Sequence, residues 1–347
     1  MSMTTKPTLT QVARRAGVSV ASASRAINGL VASPGTVRAV QQAAAELGYV
    51  PDANARALKM GATFQLLFAV ADIGNPVYVS MMRAVEQTTR PFGYRLLVSS
   101  TGLEPGGIID VIKSLDRGYA DGLIISPIQV TDEVLEALRS SRHPIVVVGS
   151  IPEDLEIDSV RANSADGVAM AVEHLQSTGH RRIWFLNGPR NTTPGLARHE
   201  AFLAAMGSRG ATDVEWQLVD AADFTAEAAH EALGRALRGV PSTRLPLDAL
   251  VAANDLLAIG ATHALLDAGI QVGRDVALVG MDDTYLAKAF NPPLTSVNLG
   301  SAERATRAAE LLMHRITHPG AAASRLVVNP SLSIRASSVP QQMEQAQ

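Results

Sequence analysis

Cysteine is absent from this chain of 347 residues. That excludes disulfides and thiolate metal sites and fits a reducing compartment. No apolar run approaches the roughly 18–20 residues of a membrane-spanning helix. The first residues, M-S-M-T-T-K-P-T-L-T, lack the apolar core of a secretory signal. A cytoplasmic protein without membrane contact is the expectation. Signatures of enzyme chemistry are also missing: no Walker loop, no GxGxxG after a strand, no HExxH and no GxSxG. The histidines, His143, His174, His180, His199, His230, His263, His314 and His318, are scattered without metal-ligand spacing. Neither catalysis nor a metal or other cofactor is expected.

Hydrophobic residues make up 47% of the chain and charged ones 18%, enough to build a large core. The formal net charge of −3 hides an asymmetry. Residues 1–61 carry seven basic side chains (Lys6, Arg14, Arg15, Arg25, Arg38, Arg56 and Lys59) against Glu46 and Asp52, a net of +5. The remaining 23 basic and 31 acidic residues leave −8. A basic head on an acidic body is the footprint of a protein that meets a polyanion with one end only.

Within that head, Thr8 to Asn28 holds two helix starts and one tight turn. Thr8 and Gln11 form a capping box, Val12, Ala13 and Ala16 share a face, and Gly17 allows the chain to stop and turn. Ser19 caps a second helix, which buries Ala23 and Ile27 and leaves Val20, Ala21, Ser22, Ser24, Arg25 and Asn28 outward. A helix about 10–12 Å across with small side chains at its start fits a major groove about 12 Å wide. This is the helix-turn-helix pattern, although an ordinary helical hairpin shares it. Ser33-Pro34 opens a third helix that Gly48 ends, and Asp52 to Lys59 forms a short helical run that needs a partner to fold against.

From Phe64 onward, short apolar runs such as Gln65–Val70, Gly122–Ser126, Ile145–Val148 and Ala249–Ala252 alternate with helical stretches. Unbroken apolar strands separated by helices predict parallel sheets covered on both faces, a doubly wound α/β architecture. There are too many units for one sheet of ordinary width, and the pattern breaks near Arg161 to Asp166, so two lobes are expected.

The head run T-L-T-Q-V-A-R-R-A-G-V-S-V-A-S-A-S-R-A-I-N-G, followed by E-L-G-Y-V-P-D-A-N-A-R-A-L-K, resembles the lactose/galactose repressor (LacI/GalR) family of bacterial transcription regulators. The likeness continues through A-D-G-L-I-I, A-A-N-D-L-L-A-I-G-A, G-M-D-D-T and N-P-P-L-T-S-V. It implies a helix-turn-helix domain over 1–50, a hinge helix over 51–61, and an effector-binding and dimerisation domain over 62–340, built from lobes like those of periplasmic sugar-binding proteins. One lobe would span 62–162 and 294–323, the other 163–293 and 324–340, with a final strand around Leu326 to Ile334. The partners implied are pseudo-palindromic double-stranded operator DNA, a small effector of the sugar class, and a second copy of the chain. Val20, Ala21 and Arg25 would read bases, while Leu58, with Ala55 alongside, would wedge into the minor groove. The DNA-facing set comprises Thr8, Ser19, Val20, Ala21, Ser22, Ser24, Arg25, Asn28, Thr36, Ala55, Leu58 and Lys59.

Polar residues just beyond apolar strands are placed to converge on one ligand: Asp72, Ser126, Asn254, Asp255, Asp282 and Asp283, with Arg198 on a helix after Leu186-Asn187-Gly188. By resemblance, Arg198, Asn254 and Asp282 match positions that bond effector hydroxyls, Phe224 matches an aromatic that stacks on a sugar ring, and Tyr78 and Asp72 face the cleft. Simpler roles exist: a helix cap for Asn254 and Asp255, a turn for Asp283, a surface position for Arg198, the core for Phe224. Asn163-Ser164, Gly149-Ser150 and Leu299 depart from the family's usual residues and predict a less charged wall. Met81, Met82, Ile108, Ile109 and Val111 are candidates for a dimer face, and for core equally. A sugar receptor without DNA function is the competing assignment, which the dedicated basic head argues against.

Overall fold

A computed structural model describes residues 6–29, 31–51, 57, 60–207, 214–238 and 245–339. Ala55, Leu58 and Lys59, and with them most of the expected hinge helix, lie outside the described residues. The chain divides into two compact units, one ending at Phe64 and one starting at Gln65.

The first unit includes the helices α1 (Leu9–Arg15), α2 (Val20–Ile27) and α3 (Pro34–Leu47). Each start is fixed locally. Thr8 and Gln11 make the reciprocal capping box, Ser19 accepts the Ser22 amide, Ser33 accepts the Thr36 amide, and Pro34 supplies a preset φ at the first turn. Gly48, at φ 64°, ends α3 in the left-handed conformation that glycine adopts without strain. Val12, Ala13, Ala23, Ala26, Val40 and Ala43 form the core. It is built mostly of small side chains, so the helices pack closely.

The second unit contains two six-stranded sheets. The first joins β1 (Gln65–Val70), β2 (Arg95–Ser100), β3 (Gly122–Ser126), β4 (Ile145–Val148), β5 (Asp158–Ala162) and β11 (Arg325–Val328), in the order β11-β5-β4-β3-β1-β2, all parallel. The second joins β6 (Arg182–Asn187), β7 (Glu215–Asp220), β8 (Ala249–Ala252), β9 (Ala277–Met281), β10 (Thr295–Asn298) and β12 (Ser331–Ser333), in the order β12-β10-β9-β8-β6-β7. Among the described residues only the β10–β12 pair is antiparallel. The alternation along β1 shows why the strands are apolar throughout: Leu66, Phe68 and Val70 enter one core, Leu67 and Ala69 the other.

The lobe boundaries differ from those the resemblance implied. Residues 294–299 do not belong with the first lobe: β10 pairs with β9, and Val297 is fully buried in the second lobe's core. Nor is 326–334 one strand of the second lobe. β11 extends the first sheet beside β5, and only β12 crosses back. These pairings are tertiary, and nothing local in strands of three or four residues specifies which sheet completes them. The expected dimer face also changes, since Met81, Ile108 and Val111 are core residues of the first lobe. Met82 and Ile109 remain half-buried.

Both sheets reverse winding direction beside their first strand, between β1 and β3 and between β6 and β8. In doubly wound sheets, ligands bind outside the carboxyl ends of the strands at that point. Among the described residues no helix is long and apolar enough to cross a membrane.

Candidate functional sites

On α2, Val20 is 45% exposed, and Ala21 and Arg25 are also exposed. The Ser19 hydroxyl lies 2.9 Å from that of Ser22, and Arg25 Nη2 donates to Ser22 Oγ at 3.4 Å. The outward surface is therefore one of small side chains and a single guanidinium. Ser24 does not belong to it. It is buried, and Asn28, half-buried, donates its Nδ2 to the Ser24 carbonyl at 2.8 Å. The buried side of the helix runs through Ala23, Ser24 and Ala26, wider than an apolar count suggests, because a serine with its polar group engaged is small enough to pack. Thr8 and Thr36 lie in the caps of α1 and α3.

In the second unit, a cavity of about 250 Å³ is lined from both lobes. Asp72, Tyr78, Ser126, Arg198, Phe224, Asn254 and Asp282 all line it. The strands explain the convergence: Asp72 follows β1, Ser126 ends β3, Asn254 follows β8, and Asp282 follows β9. Arg198 reaches in from α8 (Thr193–Gly207), the fourth helix after α4 (Pro76–Thr89), α5 (Pro105–Ser114), α6 (Asp132–Ser140) and α7 (Ser164–Ser177). Gly149, Ser150, Ser164 and Leu299, the departures from the family's usual residues, line the cavity as well, so that part of the wall is uncharged.

The charged wall is tightly built. Arg198 Nη1 donates to the Ala253 carbonyl at 2.7 Å, and Nη2 stands 3.9 Å from Asp282 Oδ1. Both side chains are about nine-tenths buried, and Arg198 Nε is buried with no hydrogen-bond partner among the described residues. Burial pushes the Asp282 carboxyl above its ordinary range, with Arg198 and Arg304 pulling it back down. Burial also raises the Tyr78 phenol, whose hydrogen bond with Ser126 opposes the shift. Asp282 adopts φ 100°, a left-handed conformation rare for a residue with a side chain.

Two neighbours are framework as well as lining. Asn254 Oδ1 accepts the Leu257 amide at 2.7 Å, capping α10 (Asp255–Asp267), which follows α9 (Ala226–Leu237), while its Nδ2 donates to the Phe224 carbonyl at 3.2 Å. The Phe224 ring packs on Gly188, where a Cβ would lie 2.2 Å from the ring. Asp255 is not the cap. Its carboxylate accepts from Thr284 and Ser296 instead. Asp283 turns away from the cavity toward Arg335 at 2.6 Å and Ser333 at 3.0 Å, as suits a turn residue.

Arg304, on α12 (Ser301–Thr317) after the short α11 (Tyr285–Ala289), also lines the cavity, and sequence reasoning missed it. Its stretch, S-A-E-R-A-T-R-A-A-E, has the even charge spacing of a solvated helix face. The one usable signal is its position four residues beyond Gly300, where the chain re-enters the first lobe. Among the described residues no cluster of metal-ligating side chains is present.

Residues 8–52 match the model of bacterial regulatory proteins of the lacI family, and 172–338 that of a periplasmic binding protein-like domain. The chain is 32% identical over 334 residues to the ribose operon repressor of Escherichia coli strain K12, covering 95% of this chain and 99% of that one. It is also 32% identical over 336 residues to the HTH-type transcriptional repressor PurR of Haemophilus influenzae strain PittEE, covering 95% and 98%. A solved Lac repressor dimer bound to operator and an anti-inducer shares the fold at a TM-score of 0.82, with 23% identity over 96% of this chain and 99% of that one. The chain belongs to the lacI family of bacterial regulatory proteins and is a DNA-binding regulator, not an enzyme.

Proposed function

We propose that this protein is a cytoplasmic homodimeric repressor whose affinity for a pseudo-palindromic operator is set by a small carbohydrate bound between its two lobes. The observation that carries this reading is the pairing, in one chain, of an exposed recognition-helix surface with a cavity where Asp282, Arg198 and Asn254 lie near the Phe224 ring. Charged groups bonding vicinal hydroxyls beside a flat apolar face suit a sugar ring. Support for the ligand class also comes from a LacI family regulator of Enterococcus faecium solved with bound ribose, at a TM-score of 0.69 and 23% identity over 80% of this chain and all of that one.

Mechanistically, two copies of α2 occupy successive major grooves, and Arg and Lys contacts to phosphate supply the salt-sensitive part of the affinity. By the family resemblance Leu58 would wedge into the minor groove, an unstacking cost returned by wider contact. A ligand that favours one angle between the lobes changes the geometry of the hinges. Couplings of this kind are typically about 1–3 kcal/mol.

Fluorescence anisotropy of labelled DNA from upstream of the gene, titrated with protein with and without a panel of sugars, tests this. Tight, salt-sensitive binding shifted about tenfold by one sugar supports the reading. Binding no tighter than to random DNA, whatever sugar is present, contradicts it.

A further inference from the structure

Two guanidinium groups in the cavity keep donors unmet, beside an Asp282 carboxylate whose nearest cation, Arg198, stands 3.9 Å away. Arg198 Nε is buried without a partner among the described residues. Arg304 donates its Nε to the Leu299 carbonyl at 3.1 Å, and its terminal nitrogens have no hydrogen-bond partner among the described residues. Arg161, exposed on β5, lines the same cavity. Three guanidinium groups therefore face a space of about 250 Å³.

Three carboxylates, Asp72, Asp223 and Asp282, line it too. Asp72 turns Oδ1 to the Gly74 amide at 2.8 Å, and Asp223 turns Oδ1 to the Phe224 amide at 2.6 Å. Only Asp282 lies in the inner wall, and it is shared between Arg198 and Arg304, with its nearest oxygen 3.9 Å from Arg198. Burial depresses the Arg304 guanidinium and the nearby Arg198 adds to the effect, while Asp282 opposes it. The deepest part of the wall thus sets the guanidinium groups of Arg198 and Arg304 beside the one carboxylate of Asp282.

A sugar hydroxyl accepts a hydrogen bond but must also place its own proton. An anionic oxygen accepts two or more and donates none, and guanidinium forks match carboxylate and phosphate geometry. A cavity of about 250 Å³, below the roughly 300–1,000 Å³ common for ligand pockets, suits one ring rather than an oligosaccharide. We infer that the effector is a monosaccharide carrying one anionic group, a carboxylate or a phosphate, which Arg304 engages together with Arg198. This rests on the carbohydrate reading above and narrows it.

Two measurements on the full chain separate the two ideas. In the first, thermal unfolding is followed in millimolar inorganic phosphate and in sodium chloride of equal ionic strength, for the wild type, R304K and R304M. Phosphate raises the wild-type midpoint above the chloride control, R304K keeps part of the rise, and R304M loses it. Unfolding in chloride and far-UV circular dichroism establish that each variant is folded. In the second, calorimetry compares matched sets: ribose with ribonate and ribose 5-phosphate, glucose with glucuronate, gluconate and glucose 6-phosphate, and galactose with galacturonate. At least one charged member binds about tenfold or more tighter than its neutral parent, and R304M removes that preference. Which charged member wins distinguishes carboxylate from phosphate. A neutral sugar that outbinds its charged relatives, with R304M indifferent, overturns the anion assignment and keeps the sugar. Phosphate stabilisation lost in R304M, with no sugar of any charge binding, keeps the anion assignment and removes the sugar. Neither effect overturns both.

Discussion

Thr284 gives both its amide and its hydroxyl to one oxygen of Asp255, at 2.7 and 2.8 Å, while the other oxygen of Asp255 accepts from Ser296 at 2.6 Å. Three donors on one buried carboxylate pin the turn after β9 to β10, and that turn carries Asp282 at φ 100° into the cavity. Asp255 is thus a positioning residue for the cavity wall.

Burial, with the charge of Asp282 adding to it, pushes the Asp255 carboxyl up to about 7 from 3.8. Because the folded value lies above the unfolded one, the folded state holds this proton more tightly, and the contribution of Asp255 to stability falls as pH rises from about 4 to about 7, then levels off. In D255N, which cannot titrate, that fall is absent. Urea unfolding at several pH values checks it. The variant is less stable because donors lose their acceptor, by about 1–3 kcal/mol, and its deficit relative to wild type narrows between pH 5 and pH 8. Parallel curves would rule out the titration.

Arg315 grips Asp158 through Nε at 2.9 Å and Nη2 at 2.8 Å, with Asp158 only 3% exposed. Removing one partner leaves the other charge buried alone. D158A should lose about 3–5 kcal/mol of stability, read as a lower urea midpoint. Less than about 1 kcal/mol would mean that the pair behaves like an exposed one.

At Gly188 a Cβ would sit 2.2 Å from Phe224 Cε1 and 2.5 Å from Cζ. G188A must displace the ring into the cavity. Overpacking of this sort costs about 1–3 kcal/mol, and ligand affinity should fall by tenfold or more while binding to DNA without ligand is unchanged. Unaltered affinity for the ligand found by the calorimetric panel would show that the ring does not shape the site.

Arg25 is the one guanidinium on the exposed surface of α2. R25A should weaken operator binding by about 1–3 kcal/mol and leave ligand affinity alone. A loss equal on operator and random DNA would assign Arg25 to phosphate, and a loss on operator only to a base edge.

Much of this was legible in the sequence because it is local. The caps at Thr8, Ser19 and Ser33 and the apolar strands β1, β3, β4 and β8 fall where side-chain chemistry and burial on both faces put them. The seven cavity residues were found because each follows a strand or matches a family motif. What failed was non-local. The sheet that β10 and β11 join depends on pairing partners far apart in the chain, and Met81 could not be divided between core and surface without its neighbours. Arg304 looked solvated because helical charge spacing is the same whether a guanidinium meets water or a cavity.

Under the proposed function, the cavity and the operator are coupled. Calorimetry of the effector binding to free protein and to protein saturated with operator measures that coupling directly, because linkage is reciprocal. The two dissociation constants should differ by about 5–150-fold, by the same factor that the effector changes operator affinity. Equal constants, for an effector that binds in the cavity, would contradict the account.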